Sequence, residues 1–117
     1  MIKVKIKRKT TGDIESVTIS GHAGFADPGQ DIVCAAVSGI SFGAINAIER
    51  LLGVELPAEQ GQDGFLRCTV PQLEPDVHEK TQLLLDGMVA SLQSVALEYG
   101  KFVKVDDFKA NRRWISC

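Results

Sequence analysis

The first twenty residues alternate between apolar and polar side chains. Isoleucine or valine at every second position, with lysine between, predicts a strand over residues 2–8 with one face in water. The Thr-Gly-Asp segment at 11–13 is typical of a turn. A second strand is predicted over residues 14–20, with Val17 and Ile19 facing inward. Because a short turn joins the two strands, we predict a hairpin.

A long uncharged segment then follows a loop rich in glycine and proline. The loop spans residues 21–30, and no charged residue occurs from Ile32 to Ile48. Asp31 is a favourable helix N-cap and Gly53 a favourable helix end, so we predict a helix between them.

This first helix has two apolar faces. The broad face comprises Val33, Val37, Ile40, Ala44, Ile48 and Leu51. The second face is a stripe of small residues that comprises Ala36, Gly39, Gly43 and Ala47. We therefore expect the helix to be buried nearly all round, with its second face covered by a small sheet or by another subunit.

The second half of the chain predicts two more strands, a helix and a last strand. The strands lie at 54–60 and 65–70, around a turn at 62–64. Asp76 and Glu79 have the spacing of a capping box, which places the start of the second helix there. That helix ends at Gly100 and has one apolar face, which comprises Leu85, Met88, Val89, Leu92, Ala96 and Tyr99. The last strand is predicted over residues 102–106.

The order of the elements predicts an α+β fold. The predicted order is strand, strand, helix, strand, strand, helix and strand. The simplest packing of these elements is two helices on a largely antiparallel sheet. A second small sheet is the alternative that would cover the first helix. We predict a single domain over residues 1–108 and a basic C-terminal tail over 109–117.

Length and composition agree with one globular domain. The chain has 117 residues, of which 44% are hydrophobic, and we find no apolar run long enough to span a bilayer. The chain starts without an apolar signal segment, so we expect a cytoplasmic protein. Its three cysteines, Cys34, Cys68 and Cys117, are widely separated, which favours reduced thiols.

Charge is unevenly distributed along the chain. Ten of the 13 basic residues lie within residues 1–9 and 101–113, whereas 13 acidic and three basic residues lie from Asp13 to Glu98. So acidic a middle is unfavourable for nucleic acid, and lysines on an outer strand are typical of edge protection. We therefore expect the protein to contact nucleic acid only indirectly, through a partner. Because we find no apolar run long enough to span a bilayer, we also expect no membrane partner.

Cys34 and His22 are the candidate reactive pair. Cys34 is the third residue of the first predicted helix, where the helix dipole and unpaired backbone N–H groups favour the thiolate and could stabilise an oxyanion. His22 lies across the 21–30 loop, which can bring imidazole and thiol together. Ser38 is one helical turn after Cys34 and faces the same side. Taken alone, a cysteine here is more often a small buried apolar residue.

Other ionisable residues leave alternatives open. Asp31 either caps the helix or orients His22, and Asp27 is a second candidate for orienting it. A metal site is less favoured. Its candidate ligands, His22, Cys34, Cys68 and His78, include no closely spaced pair.

Two segments around this pair resemble the signature of the Prp family of ribosomal-processing cysteine proteases. The first is Gly-His-Ala-Gly at 21–24, and the second is Gly-Gln-Asp-Ile-Val-Cys-Ala-Ala-Val-Ser at 29–38. Asn-Ala-Ile at 46–48 and Met-Val-Ala-Ser-Leu-Gln at 88–93 are also similar, so the resemblance covers about residues 1–105. The tail from Lys109 lies beyond it.

The resemblance implies a thiol protease that acts in ribosome biogenesis. Cys34 would be the nucleophile, His22 its proton-transfer partner, and Asp31 and Ser38 supporting residues, with no metal or cofactor. The family removes an N-terminal extension from large-subunit ribosomal protein number twenty-seven and is homodimeric. The resemblance further implies that the substrate is cut after an aromatic residue and before a small one. The 21–30 loop would open as a lid over the peptide.

Two other functions compete with this interpretation. The first is a non-enzymatic ribosome-assembly module that binds RNA through the basic ends of the chain. The second keeps the cysteine and histidine in a Cys-dependent acyl hydrolase acting on a small thioester. A long open groove would favour an endopeptidase, and a closed pocket would favour the hydrolase.

Overall fold

The computed structural model describes residues 1–27 and 30–107. Its elements follow the predicted order and confirm the α+β fold. They are β1 (Ile2–Arg8), β2 (Ile14–Ser20), α1 (Ile32–Leu52), β3 (Ala58–Gln60), β4 (Leu66–Thr69), α2 (Pro75–Glu98) and β5 (Val103–Asp106). The predicted tail at 109–117, with Cys117, lies outside the described residues.

The strands of the described residues form one sheet in the order β3-β4-β2-β1-β5. All neighbours are antiparallel except β1 and β5, which are parallel. No second small sheet therefore occurs in the described part of the chain. β1 is an internal strand, so the expectation that its lysines protect a sheet edge is wrong; the edge strands are β3 and β5.

The hydrophobic core lies between one face of the sheet and the two helices. β1 and β2 bury Val4 and Ile14, and α2 buries Leu85 and Leu92 against them. The alternation of β1 explains this packing, because its lysines are exposed while Ile2 and Val4 are buried. The other face of the sheet carries the exposed polar residues.

α1 begins and ends where the sequence predicts. The Asp31 side chain accepts hydrogen bonds from the first-turn N–H groups, and Gly53 ends the helix with a φ of 69°. The prediction of burial all round is wrong for the single chain. Ile32 is 57% exposed and Leu51 72% exposed, and nothing in the described residues covers the face of Gly39 and Gly43.

The length of α1 corrects the expectation that no apolar segment is long enough to span a bilayer. It has 21 residues and a mean hydropathy of 1.6, so by length and composition it is apolar enough to cross a membrane. The core helix of a globular domain has the same properties. Val33, Val37 and Ile48 are buried against the rest of the domain, so the apolar residues of this face belong to its core, whereas Ile32 and Leu51 stay exposed in the single chain.

The start of α2 and the extent of β3 differ from prediction. α2 begins at Pro75, one residue before the expected cap, because proline is favourable at the first helical position. Asp76 therefore lies in the first turn, and Glu74 holds the cap position without a side-chain hydrogen bond. In the segment before β3, Val54 and Leu56 are buried without forming a strand.

Candidate active site

Cys34 is held at the start of α1 beside the segment that follows β2. It is the third residue of the helix and is partly exposed. Its Sγ accepts a hydrogen bond from the backbone N–H of Ala23, 3.3 Å away. A donor at this distance stabilises negative charge on sulfur, as the reactive thiolate requires.

Asp31 joins the helix to the loop through four backbone N–H groups. Oδ1 accepts from Val33 and Cys34, each at 3.0 Å, and Oδ2 accepts from Phe25 at 3.0 Å and Ala26 at 3.4 Å. Burial of the carboxylate opposes ionisation, but hydrogen bonds from Cys34, Phe25 and Ala26 hold the pKa of Asp31 below its usual range. Asp31 is therefore the helix cap.

Neither Asp31 nor Asp27, the two residues expected to orient His22, is hydrogen-bonded to its ring in residues 1–27 and 30–107. Instead, the turn between β3 and β4 holds the backbone next to it. The N–H of Gly21 donates to the Asp63 carbonyl oxygen at 2.8 Å, and Gly64, with a φ of +68°, packs against the Gly21 carbonyl.

This contact between the turn and Gly21 is the feature that sequence reasoning missed. The sequence predicts a turn at 62–64 but carries no signal for what the turn touches. A Cβ on Gly64 would collide with the Gly21 carbonyl oxygen and lie 3.7 Å from Cε1 of His22. Gly64 thus lies close enough to set the position of the imidazole.

The expected oxyanion donors are already occupied in this structure. The N–H groups of Val33 and Cys34 donate to the Asp31 carboxylate, and that of Ala35 donates to the Asp31 carbonyl oxygen at 3.0 Å. The expectation that the helix-start amides hold an oxyanion is therefore wrong for this conformation. The N–H of Ala23 is directed at Sγ itself, 3.3 Å away.

The four predicted site residues line one open cleft of about 610 Å³. His22, Asp31, Cys34 and Ser38 are joined there by Gly24, Ala26 and Ala35. The other residues considered as metal ligands lie elsewhere. Cys68 is buried in β4, and His78 on α2 pairs with Asp13, with 2.9 Å between Nε2 and Oδ2.

The glycine-rich loop is anchored on the far side of the cleft. The Phe25 ring makes edge-to-face contacts with Tyr99 and Phe102, with centroids 5.8 and 5.3 Å apart. Phe25 therefore packs on the end of α2, where it fastens the loop that Asp31 also holds.

A second, smaller pocket adjoins the cleft at Ser38. It has a volume of about 190 Å³ and lies between α1 and the β3–β4 hairpin. Its apolar lining includes Ile19, Val37, Phe42, Phe65 and Leu66. We refer to it as the apolar pocket.

Replacing Asp31 with asparagine is expected to loosen the loop and remove an acid-sensitive part of the stability. The lowered pKa means that the stabilising contribution is complete above about pH 4 and is lost as the pH falls through the folded-state pKa. The wild-type Tm should therefore fall more steeply below pH 4 than that of Asp31→Asn. At neutral pH the variant should have a lower Tm, because an amide has one acceptor oxygen and cannot accept from both the helix and the loop. It should cleave peptide about tenfold more slowly as the loop shifts.

Asp27→Asn is the matched control for this prediction, because Asp27 is exposed in the same loop. Thermal unfolding from pH 2.5 to 7 would compare both variants with wild type. Equal acid sensitivity in all three proteins would contradict the role of Asp31.

Comparison with known proteins places this site in a family. Residues 1–104 match the family model for cysteine protease Prp. The ribosomal processing cysteine protease Prp of Bacillus subtilis is 39% identical over 90% of this chain and 96% of its own. The corresponding Mycoplasma pneumoniae protein is 38% identical over 85% and 93%.

Solved structures agree with the sequence comparison. The ribosomal processing protease Prp from S. aureus, with a covalently linked product peptide, superposes with a TM-score of 0.83 at 31% identity, over 91% of this chain and 98% of its own. The same protease with a substrate peptide gives 0.77 at 30% identity over the same shares. With the family model matching nearly the whole described domain, this chain belongs to the Prp family of cysteine proteases.

Proposed function

We propose that this cysteine protease removes the N-terminal extension of a large-subunit ribosomal protein precursor, with Cys34 as nucleophile and His22 as proton carrier. The observation that carries the proposal is the single cleft lined by His22, Asp31, Cys34 and Ser38. Relatives that cover this chain almost completely are named for ribosomal processing, and two structures of one of them hold peptides.

The proposed reaction has two steps. His22 takes the proton from Cys34, and the thiolate attacks the peptide carbonyl to form a tetrahedral intermediate. The intermediate collapses to a thioester as His22 protonates the leaving amine. Water, deprotonated by His22, then hydrolyses the thioester and restores the thiol.

The backbone N–H of Ala23 is the donor we assign to the oxyanion. It hydrogen-bonds Sγ at 3.3 Å before reaction, so a short shift of the adduct brings the carbonyl oxygen within its reach. Asp31 fixes this geometry because it ties α1 to the backbone of Phe25 and Ala26, just after Ala23.

The form of the cleft favours a peptide over a small thioester. His22, Gly24, Ala35 and Ser38 are all exposed along it, so it is open to solvent. An acyl hydrolase acting on a small molecule would be expected to enclose its substrate.

Mass spectrometry of the precursor tests the function directly. Wild-type protein should convert the purified ribosomal precursor to the shortened form and release one N-terminal peptide, whereas Cys34→Ala should leave it intact. Hydrolysis of small thioesters with no cleavage of the precursor would instead support the acyl hydrolase.

The apolar pocket should select the substrate side chain next to the cut. At about 190 Å³ it accommodates one large apolar side chain and shares Ser38 with the cleft. We expect kcat/KM to fall about a hundredfold when the aromatic residue before the cut is replaced by alanine. Cyclohexylalanine at that position is the control for bulk and should retain most of the activity. If the alanine peptide is cut as fast as the parent, the proposed specificity is wrong.

We also propose that the protein is a homodimer formed through the uncovered face of α1. Ile32 is exposed on that face, and added side chains at Gly39 or Gly43 would meet nothing within 4 Å. Light scattering should therefore give about twice the chain mass for wild type.

Arginine at position 39 should block this association without disturbing the fold. Gly39→Arg fits the single chain but places charge on the proposed interface, so it should give the monomer mass. Gly87→Arg on α2 is the matched control, because it also lies in open space. A monomeric wild type, or equal masses for both variants, would contradict the proposed interface.

A further inference from the structure

The face of the sheet opposite the helices carries a cluster of cationic side chains. We call it the basic face, and it comprises Lys3, Lys5, Lys7, Arg67 and Lys104. The strand register brings them together. Lys3 pairs with Lys104 on β5, and Lys5, Thr18 and Arg67 form one row across β1, β2 and β4.

The position of these lysines is not explained by protection of a sheet edge. β1 lies between β2 and β5, so Lys3, Lys5 and Lys7 project from the interior of the sheet. Lys3 and Lys104 are direct neighbours of like charge, an arrangement that destabilises a sheet unless an anion lies between them.

Carboxylates on this face neutralise only part of the cluster. Glu15 pairs with Lys7 at 3.3 Å, Asp106 is the register neighbour of Lys5, and Glu59 is that of Arg67. Among residues 1–27 and 30–107, Lys3 and Lys104 have no ion-pair partner. The charges at that end are therefore available to an acceptor from outside the chain.

Arg67 is already held in place beside a shallow trough. Its Nε donates to Oγ1 of Thr18 at 3.3 Å, and its guanidinium lies 5.6 Å from the centroid of the Phe65 ring. The trough is about 620 Å³ in volume. Its donors are Ser16, Thr18 and Thr69 together with Lys5 and Lys7, and the carboxylates of Glu15 and Asp106 also line it, beside Lys7 and Lys5. Lysine, arginine and hydroxyl groups in one open trough are the donors that bind phosphate oxygens.

The acidic middle of the chain predicted no direct contact with nucleic acid, but the strand register gathers cations on one face of the sheet. We propose that this basic face binds the phosphate backbone of RNA. Alternate residues of β1 place Lys3, Lys5 and Lys7 about 7 Å apart, which suits a repeating polyanion better than a single carboxylate. The face lies on the side of the sheet away from the helices, so RNA and a peptide in the cleft can bind together. The protease would then cleave its substrate while attached to RNA.

Salt-dependent binding of a labelled RNA hairpin tests the proposal with the full chain. Fluorescence anisotropy would compare wild type with Lys3→Gln/Lys104→Gln. Removing two phosphate contacts should weaken binding about tenfold at low salt and reduce the slope of log Kd against log salt by about 1.5. Arg50→Gln/Lys80→Gln removes the same charge from the helices and should bind like wild type.

Several outcomes would overturn this proposal. The first is wild-type affinity in Lys3→Gln/Lys104→Gln, and the second is an equal loss in both double variants. Loss confined to Lys109→Gln/Arg112→Gln/Arg113→Gln would assign binding to the tail, and tighter binding of poly-glutamate than of RNA would assign the face to an acidic protein. Lys3→Gln/Lys104→Gln should cleave peptide like wild type, because the basic face lies outside the cleft. A negative result for RNA binding would therefore leave the proposed protease function intact.

Discussion

Replacement of Cys34 with alanine is expected to lower kcat/KM for a peptide spanning the cleavage site by about a thousandfold or more. Without the thiolate no thioester forms, and the remaining groups of the cleft can only bind the peptide. Cys34→Ser should be nearly as inactive, because a hydroxyl is far harder to ionise than a thiol. Both variants should keep the wild-type Tm within a few degrees, since Cys34 is partly exposed.

Cys68 provides the matched control for this thiol. Burial raises the pKa of Cys68 to about 11, and the side chain is 2% exposed. In a Cys117→Ser background, iodoacetamide at neutral pH should therefore modify Cys34 first and stop cleavage in step with labelling. Cys68→Ala should cleave like wild type. Activity that survives full alkylation of Cys34 would contradict its role as nucleophile.

Replacement of His22 with alanine should lower kcat about a hundredfold to ten-thousandfold, as expected for loss of a proton carrier. KM should change much less, because the imidazole acts on the thiol and the leaving amine. Added imidazole should restore part of the activity, since His22 is exposed in an open cleft. A merely structural histidine would give no such rescue.

The turn at 62–64 offers a separate test of how His22 is positioned. Gly64→Ala would force its Cβ into the Gly21 carbonyl and should lower kcat about tenfold or more by displacing the imidazole. Gly61→Ala, whose Cβ would meet only ordinary contacts with Phe65, is the control in the same turn. Equal activity of the two variants would show that the turn does not position His22.

The sequence was most informative where local chemistry decides the structure. Alternation alone predicts both β1 and β2 with their observed bounds. Asp31 and Gly53 predict both ends of α1, because the N-cap carboxylate and the left-handed glycine act within one helical turn. Strand alternation and helix capping depend on residues that are close together in the chain, so the sequence alone is enough to predict them.

The sequence was less informative where proline competes with another signal. Asp76 and Glu79 have capping-box spacing, yet α2 already begins at Pro75, on the N-terminal side of the predicted cap. The fixed φ of proline and its missing N–H suit the first helical position, so the proline decides where α2 begins.

The candidate residues that the sequence indicates line one cleft in the structure, but the sequence did not predict the hydrogen bonds and contacts that join them. The thiol at the helix start and the histidine across the loop indicate a reactive pair, and the family resemblance makes it specific. Only the folded chain shows that Asp31 consumes the helix-start N–H groups, that Ala23 donates to Sγ, and that Gly64 abuts Gly21.

By itself, then, the sequence determined the order of the elements, the ends of α1 and the identity of the candidate residues, because capping and periodicity are local. The tertiary structure alone decided that β1 is internal, that one face of α1 stays uncovered, and which groups accept each N–H in the site. Those outcomes depend on which distant segments meet, as when β5 pairs with β1 from the other end of the domain, and no local pattern encodes the partner.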